Sequence, residues 1–188
     1  MLDSQKLQVK TSVEFDEVIG HCREIFFKKT MDYGTAWRIL RLRSITDQIY
    51  IKALRIRTLE ETGLALIPED IPSEYKGIIN YAIIALIQLA LPNQESMNLE
   101  SEKLIPLFDE VVEESKKLMF SKNHDYGEAW RKMRVSSMTD LILMKLLRIK
   151  QIEDHNGGVI ISEGVGSGYQ DILNYAVFAL IKFNDKTS

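Results

Sequence analysis

The sequence predicts an all-α protein: a helical bundle of two tandem three-helix repeats packed about a pseudo-twofold axis. Three observations predict it. The chain aligns with itself at an offset of 93 residues. Apolar residues recur at helical spacing through both copies. A three-helix unit of this size buries little core alone, and its helices are apolar on too many sides to stand alone. Two copies packed as a homodimer packs would solve both problems.

The duplication is read residue by residue. Phe15–Val18 matches Phe108–Val111, Asp32–Gly34 matches Asp125–Gly127, and Ala36–Arg38 matches Ala129–Arg131. Asp47, Lys52 and Arg55 meet Asp140, Lys145 and Arg148. After one inserted residue the offset becomes 94, and Tyr75 and Asn80–Ala82 meet Tyr169 and Asn174–Ala176. About 30 of about 77 aligned positions are identical, far beyond chance pairing. The expected repeats span 13–92 and 101–184 and form one globular domain.

Each copy reads as three helices. The first runs from about Val13 to Lys29, and from Ser101 to Lys122, ended in each copy by Asp-Tyr-Gly with glycine as a natural stop. The second runs from Thr35 to Glu61, and from Glu128 to Asp154. The third runs from Ser73 to Leu91, and from Gly168 to Phe183. Residues 92–96 link the copies, and only 158–162 has the composition of a short strand.

Composition excludes several classes. With 188 residues, 45% of them hydrophobic, the chain can bury a sizeable core. A formal charge of −3 gives no general attraction to nucleic acid or to an anionic membrane. A single cysteine, Cys22, rules out an internal disulfide. The N-terminal residues lack the apolar run of a signal peptide, and the apolar windows 78–91 and 141–149 are too short to span a bilayer. A cytoplasmic protein is expected. Whether two chains associate into a homodimer is left open.

The second helix carries charges where a core is expected. Leu141–Leu147 covers nearly its whole circumference, yet the same helix holds Asp140, Lys145 and Arg148, with Lys145 and Arg148 on one face. The third helix places Asp171 and Asn174 on one face. Copy one keeps Asp47, Lys52, Arg55 and Asn80 but has Gly77 in place of Asp171. Buried charges must be paired or must bind something. Asp171 as counter-ion of Lys145 or Arg148 is the structural reading. Lys52 and Arg55 then need Glu74, Glu69, a residue of the other half, or an anionic ligand such as a nucleotide phosphate. Around the Asp-Tyr-Gly turn lie Lys122, Asp125, Tyr126, Trp130, Arg131 and Arg134. Trp130 and Tyr126 would stack on a base; as core residues, Trp37 and Trp130 would instead fill the corner between turn and helix. His124-Asp125 is similar to the His-Asp pair of metal-dependent phosphohydrolases but has no counterpart in copy one, and the glycines of 164–168 would suit a phosphate or a plain loop.

Lys-x-x-Asp-Tyr-Gly, then a helix with Asp-x4-Lys-x-x-Arg, then Glu-x7-Asp-x-x-Asn-Tyr-Ala, resembles the nucleotide-modification-associated domain 1 family of phages and bacteria. The resemblance covers both copies. In copy two the pattern falls on Lys122, Asp125, Tyr126, Gly127, Asp140, Lys145, Arg148, Glu163, Asp171, Asn174 and Tyr175; in copy one it falls on Lys29, Asp32, Tyr33, Gly34, Asp47, Lys52, Arg55, Glu69, Asn80 and Tyr81, with Gly77 breaking it. The arrangement is also similar, more weakly, to the MazG-like all-α nucleoside triphosphate pyrophosphatases, whose Glu-Glu-x-x-Glu motif is absent.

These likenesses imply a nucleotide or another phosphorylated small molecule as ligand, and copy two as the better candidate active site. As a hydrolase of nucleotide phosphoanhydrides, the chain would use Glu163, Asp171 and Asp140 to hold Mg²⁺, and Lys145 and Arg148 to neutralise phosphate charge. Asp140, Lys145, Arg148 and Asp171 are the expected catalytic set. Lys122, Asp125, Tyr126, Trp130, Arg131 and Asn174, with Lys52, Arg55 and Asn80 of copy one, are the expected nucleotide-binding set. The alternatives are a non-catalytic nucleotide- or partner-binding module and a polar network that only fixes helix register.

Overall fold

The computed structural model describes residues 2–64, 66, 70–91, 97–155 and 164–187. Six α-helices lie in this part of the chain: α1 (Leu2–Tyr33), α2 (Leu42–Thr62), α3 (Ile71–Ala90), α4 (Ser101–Tyr126), α5 (Val135–Asp154) and α6 (Gly164–Thr187). No strand occurs among the described residues, and the segment 158–162 and the link 92–96 lie outside them. Among the described residues no helix is long and apolar enough to cross a membrane.

Glycine ends the first helix of each copy. Gly34 and Gly127 take left-handed backbone angles (φ 59° and 58°), open to a residue without Cβ at little cost. The second helix differs from its expected single run. A 3₁₀ turn, Ala36–Ile39 or Ala129–Lys132, comes first, and an extended pair of residues (Leu40–Arg41, Met133–Arg134) then separates it from α2 or α5. The third helix captures carbonyls that this break releases. Gln88 Nε2 donates to the carbonyls of Arg38 (3.3 Å) and Leu40 (3.1 Å), and Lys182 Nζ donates to that of Arg131 (2.5 Å). Helix α1 also starts earlier than expected, because its first turns dock on the other half: the buried Thr11 hydroxyl donates to the Glu128 carboxylate (2.6 Å).

Helices α3 and α6 form the centre. Both carry fully buried alanines, Ala82 and Ala85 on α3 and Ala176 and Ala179 on α6, small side chains that suit close helix packing, together with fully buried Ile78, Ile83, Ile172 and Val177. Helix α2 packs on α3, α5 packs on α6, and α1 and α4 cover the pair. The contacts between halves are reciprocal, as an isologous interface requires. The buried Tyr75 hydroxyl bonds Thr139 (2.7 Å), which donates to Glu60 (3.0 Å); Tyr169 bonds Thr46 (2.6 Å), which donates to Glu153 (2.9 Å). Lys150 pairs with Asp47 (2.6 Å) as Arg57 pairs with Asp140 (3.8 Å). Lys116 pairs with Asp16 (2.6 Å) as Arg23 pairs with Asp109 (3.2 Å). These matched pairs are the pseudo-twofold axis expressed in side chains.

Helix α5 is less enclosed than its apolar circumference implies. Ile142, Leu143, Leu146 and Ile149 are buried, but Met144 and Leu147 are exposed, as are Ile51 and Leu54 at the matching positions of α2. Each of these helices packs mainly on two neighbours, so a third side remains open.

Candidate functional site

Each half has a pocket in the same place, where the end of its first helix, the 3₁₀ turn and the third helix meet. In the first half the cavity measures about 560 Å³. Its charged lining is Lys29, Lys52, Lys76 and Glu74: three cations and one anion, a formal net of +2. Tyr33, Trp37 and Tyr81 supply aromatic walls, and Gln48, Ser73 and Thr30 add polar groups. The buried Glu74 carboxylate holds Lys52 (3.0 Å) and Arg55 together. That answers which partner those cations find without an aspartate at position 77. Gly77 leaves room for Lys52 to cross α3, since a Cβ there would sit 2.9 Å from its Cε and push the end of that flexible side chain aside. Lys29 and Lys76 make no ion pair within 4.0 Å among the described residues.

In the second half the cavity is about 240 Å³. Its charged lining is Lys122 and Asp171, a formal net of zero. Asp171 is buried and held from both sides, by Lys122 and by Lys145 (2.7 Å). The ring of Trp130 stacks on Phe178 with centroids 4.2 Å apart and planes 4° from parallel. In copy one the carboxylate stands at 74 and glycine at 77; in copy two glycine stands at 168 and the carboxylate at 171. The anion has moved three residues, close to one helical turn and about 4.5 Å along the axis. Gly168 in turn lets Ile149 press against α6, since a Cβ there would lie 2.9 Å from its Cδ1.

Both pockets share a polar pair. The amide Nδ2 of Asn80 donates to the Cys22 carbonyl (3.1 Å), and that of Asn174 to the Ser115 carbonyl (3.0 Å). Each bond fixes the amide orientation and leaves Oδ1 buried without a protein partner. The indole Nε1 of Trp37 and of Trp130 is likewise buried without a protein partner. Trp and Asn line the pocket in both halves. Burial pushes the Cys22 thiol up to about 12, so it stays neutral and is no nucleophile.

The other residues singled out from the sequence scatter. Asp140 is exposed beside Arg57, in a shallow cleft that Arg148 also lines, whereas Asp171 faces the second-half pocket. Asp125 is exposed, and among the described residues its side chain pairs with its neighbour His124 (3.1 Å). Tyr126 stands at the pocket rim, largely exposed. Arg131 is neither a solvated charge nor a pocket residue: Glu14 (2.5 Å) and Glu128 (2.8 Å) clamp it, and it lies over the Trp130 ring (4.4 Å). The glycines of 164–168 form the first turn of α6, not a loop. Glu163 and Glu69 lie outside the described residues. Among the described residues no three His, Cys, Asp or Glu side chains gather as a metal site would require. Lys76 and Gln48 were missed because their partners in copy two are Gln170 and Leu141; a reading built on shared positions passes over what one copy has alone.

A model of the nucleotide modification associated domain 1 matches the chain twice, over residues 29–89 and 122–183. The chain belongs to this family. Each match begins at the pocket lysine, Lys29 or Lys122, and runs through the third helix, so family membership covers most of both pocket walls. No curated protein and no solved structure matches the chain, and the weaker likeness to MazG-like pyrophosphatases finds no support there.

Proposed function

We propose that the chain is a nucleotide-binding module whose working pocket lies in its first half. One observation carries this reading: a cavity of about 560 Å³ combines a net +2 lining with an indole and two phenol rings. Its volume falls within the roughly 300–1,000 Å³ of pockets that enclose small molecules. Lysines near a phosphate and aromatic faces near a base are the complement a nucleotide needs. Lys29 and Lys76, unpaired with carboxylates among the described residues, are the phosphate contacts; Lys52 is already committed to Glu74. The family description, nucleotide modification, is in keeping with a module that holds a nucleotide.

Calorimetry with nucleoside mono-, di- and triphosphates tests it. Saturable binding that weakens about 10–100-fold in Lys29→Ala/Lys76→Ala supports the reading. Equal binding by that variant sinks it.

The finer reading, a Mg²⁺-dependent phosphoanhydride hydrolase, draws on the second half, where buried Asp171 sits against Lys145. There Asp171 would have to release its lysines to hold a metal. Phosphate and pyrophosphate release from the same nucleotides with Mg²⁺ or Mn²⁺ decides it. Turnover unchanged in Asp171→Asn would remove the second half from that chemistry.

A further inference from the structure

The pocket of the second half has a character of its own. We propose that it is a second, separate binding site for an uncharged planar heterocycle, a nucleobase or its nucleoside, gripped by an edge that sets a hydrogen-bond acceptor beside a donor. The proposal does not rest on what the first pocket binds.

Four observations converge. The first is an unmet polar pair. Trp130 Nε1 offers a donor and Asn174 Oδ1 an acceptor, both buried without protein partners and both on residues that line this cavity. The acceptor is not a matter of amide orientation, because Nδ2 is committed to the Ser115 carbonyl at 3.0 Å. Buried polar atoms normally find partners, and two unmet atoms on residues lining one cavity point to a ligand that supplies both. One unmet donor and one unmet acceptor are what the amide-like and amidine-like edges of nucleobases complement.

The second is shape. Phe178 covers one face of Trp130 and Arg131 the other, so a planar ring would pack on Phe178, Tyr175, Met119 and Met133, which give flat and polarizable walls. The third is size. At about 240 Å³ the cavity falls below the range for larger ligands, leaving room for a base with little beyond it. The fourth is charge. Lys122 and Asp171 neutralise each other across the lining, and the second Asp171 oxygen is held by Lys145. No lining cation is left over for a phosphate.

The chain has two tryptophans, so Trp37→Phe leaves Trp130 as the sole indole and makes fluorescence report on this pocket alone. Uracil, adenine, uridine and adenosine are titrated into the full-length variant. Saturable quenching by at least one is expected, and comparison of each base with its nucleoside tells which of the two the pocket takes. Blocking the edge should weaken binding about tenfold: the base or nucleoside that binds is compared with its counterpart methylated on the edge nitrogen. The matching nucleoside monophosphate should bind no tighter than the nucleoside. Trp130→Phe keeps a ring and removes the donor; calorimetry should show about tenfold weaker binding with helical circular dichroism retained. Absence of saturable quenching, indifference to the methyl group, tighter binding of the monophosphate, or full affinity in a folded Trp130→Phe would each overturn the proposal. If Trp130→Phe does not fold, the methylated ligand on the Trp37→Phe protein still decides.

Discussion

The first half keeps a larger, cation-rich pocket, whereas the second half has a smaller one whose lining charges pair with each other. Both began from the same framework: a lysine ahead of the Asp-Tyr-Gly turn, a tryptophan after it, and an asparagine tied to the first helix. One carboxylate makes much of the difference. At Glu74 it draws Lys52 and Arg55 to one side and leaves Lys29 without it; at Asp171 it draws Lys122 across the pocket wall. A duplicated unit can therefore diverge in ligand class by sliding one charge by close to one helical turn.

The largest effect should come from removing that carboxylate. Glu74→Leu removes the buried carboxylate that Lys52 and Arg55 share, and urea unfolding should show a loss of about 3–5 kcal/mol. Copying the second-half arrangement with Glu74→Gly/Gly77→Asp should recover about half of it. No recovery would mean that the two arrangements are not interchangeable.

The glycines come next. Gly168→Ala drives a Cβ against Ile149, which is fully buried and has nowhere to go, and should cost about 1–2 kcal/mol. Gly77→Ala meets only the far end of Lys52, a flexible chain, and helix propensity offsets the contact. It should stay within about 0.5 kcal/mol of the parent protein. Equal losses in thermal unfolding would erase this contrast.

Ionic strength separates the pockets further. Nucleotide binding in the first half should weaken several-fold as salt rises, while nucleoside binding in the second half should barely change, both followed by calorimetry.

The smallest effect tests what the halves still share. Burial raises the carboxyl pKa of both Glu60 and Glu153, which face each other's half through Thr139 and Thr46. A carboxyl whose folded pKa lies above its unfolded value costs stability once pH exceeds the folded value, and the cost is relieved as pH falls through it. Glu60→Gln and Glu153→Gln should therefore each raise Tm near neutral pH, on the order of 1 °C given their partial exposure, with the gain vanishing at acid pH. Unequal gains in scanning calorimetry would show that the symmetry of this network is only geometric.

Much of the fold was legible because its signals are local or repeated. The Asp-Tyr-Gly stops, the helical periodicity and the matched Asp, Lys and Arg of the second helices need no tertiary knowledge. The site was legible only in outline. Asp140 reads from the sequence as a metal-holding residue of the same site as Lys145, Arg148 and Asp171, but the twofold packing turns it toward Arg57 of the other half, just as it turns Asp47 toward Lys150. Arg131 reads as a ligand contact, but the early turns of α1 bring Glu14 and Thr11 onto it from the other half. Such contacts join residues about a hundred positions apart, and no spacing rule reaches that far.

The sequence by itself determined that the molecule is a doubled three-helix unit, that its helices stop where they do, and that charges recur on otherwise apolar helices. Those properties follow from backbone preferences and from periodicities of a few residues. The tertiary structure alone decided which cation each carboxylate meets, and so which half keeps the larger, positively lined pocket. The difference between Glu74 and Asp171 is close to one turn of helix, and only the packing of Lys52, Lys122 and Lys145 around it turns that step into a change of charge.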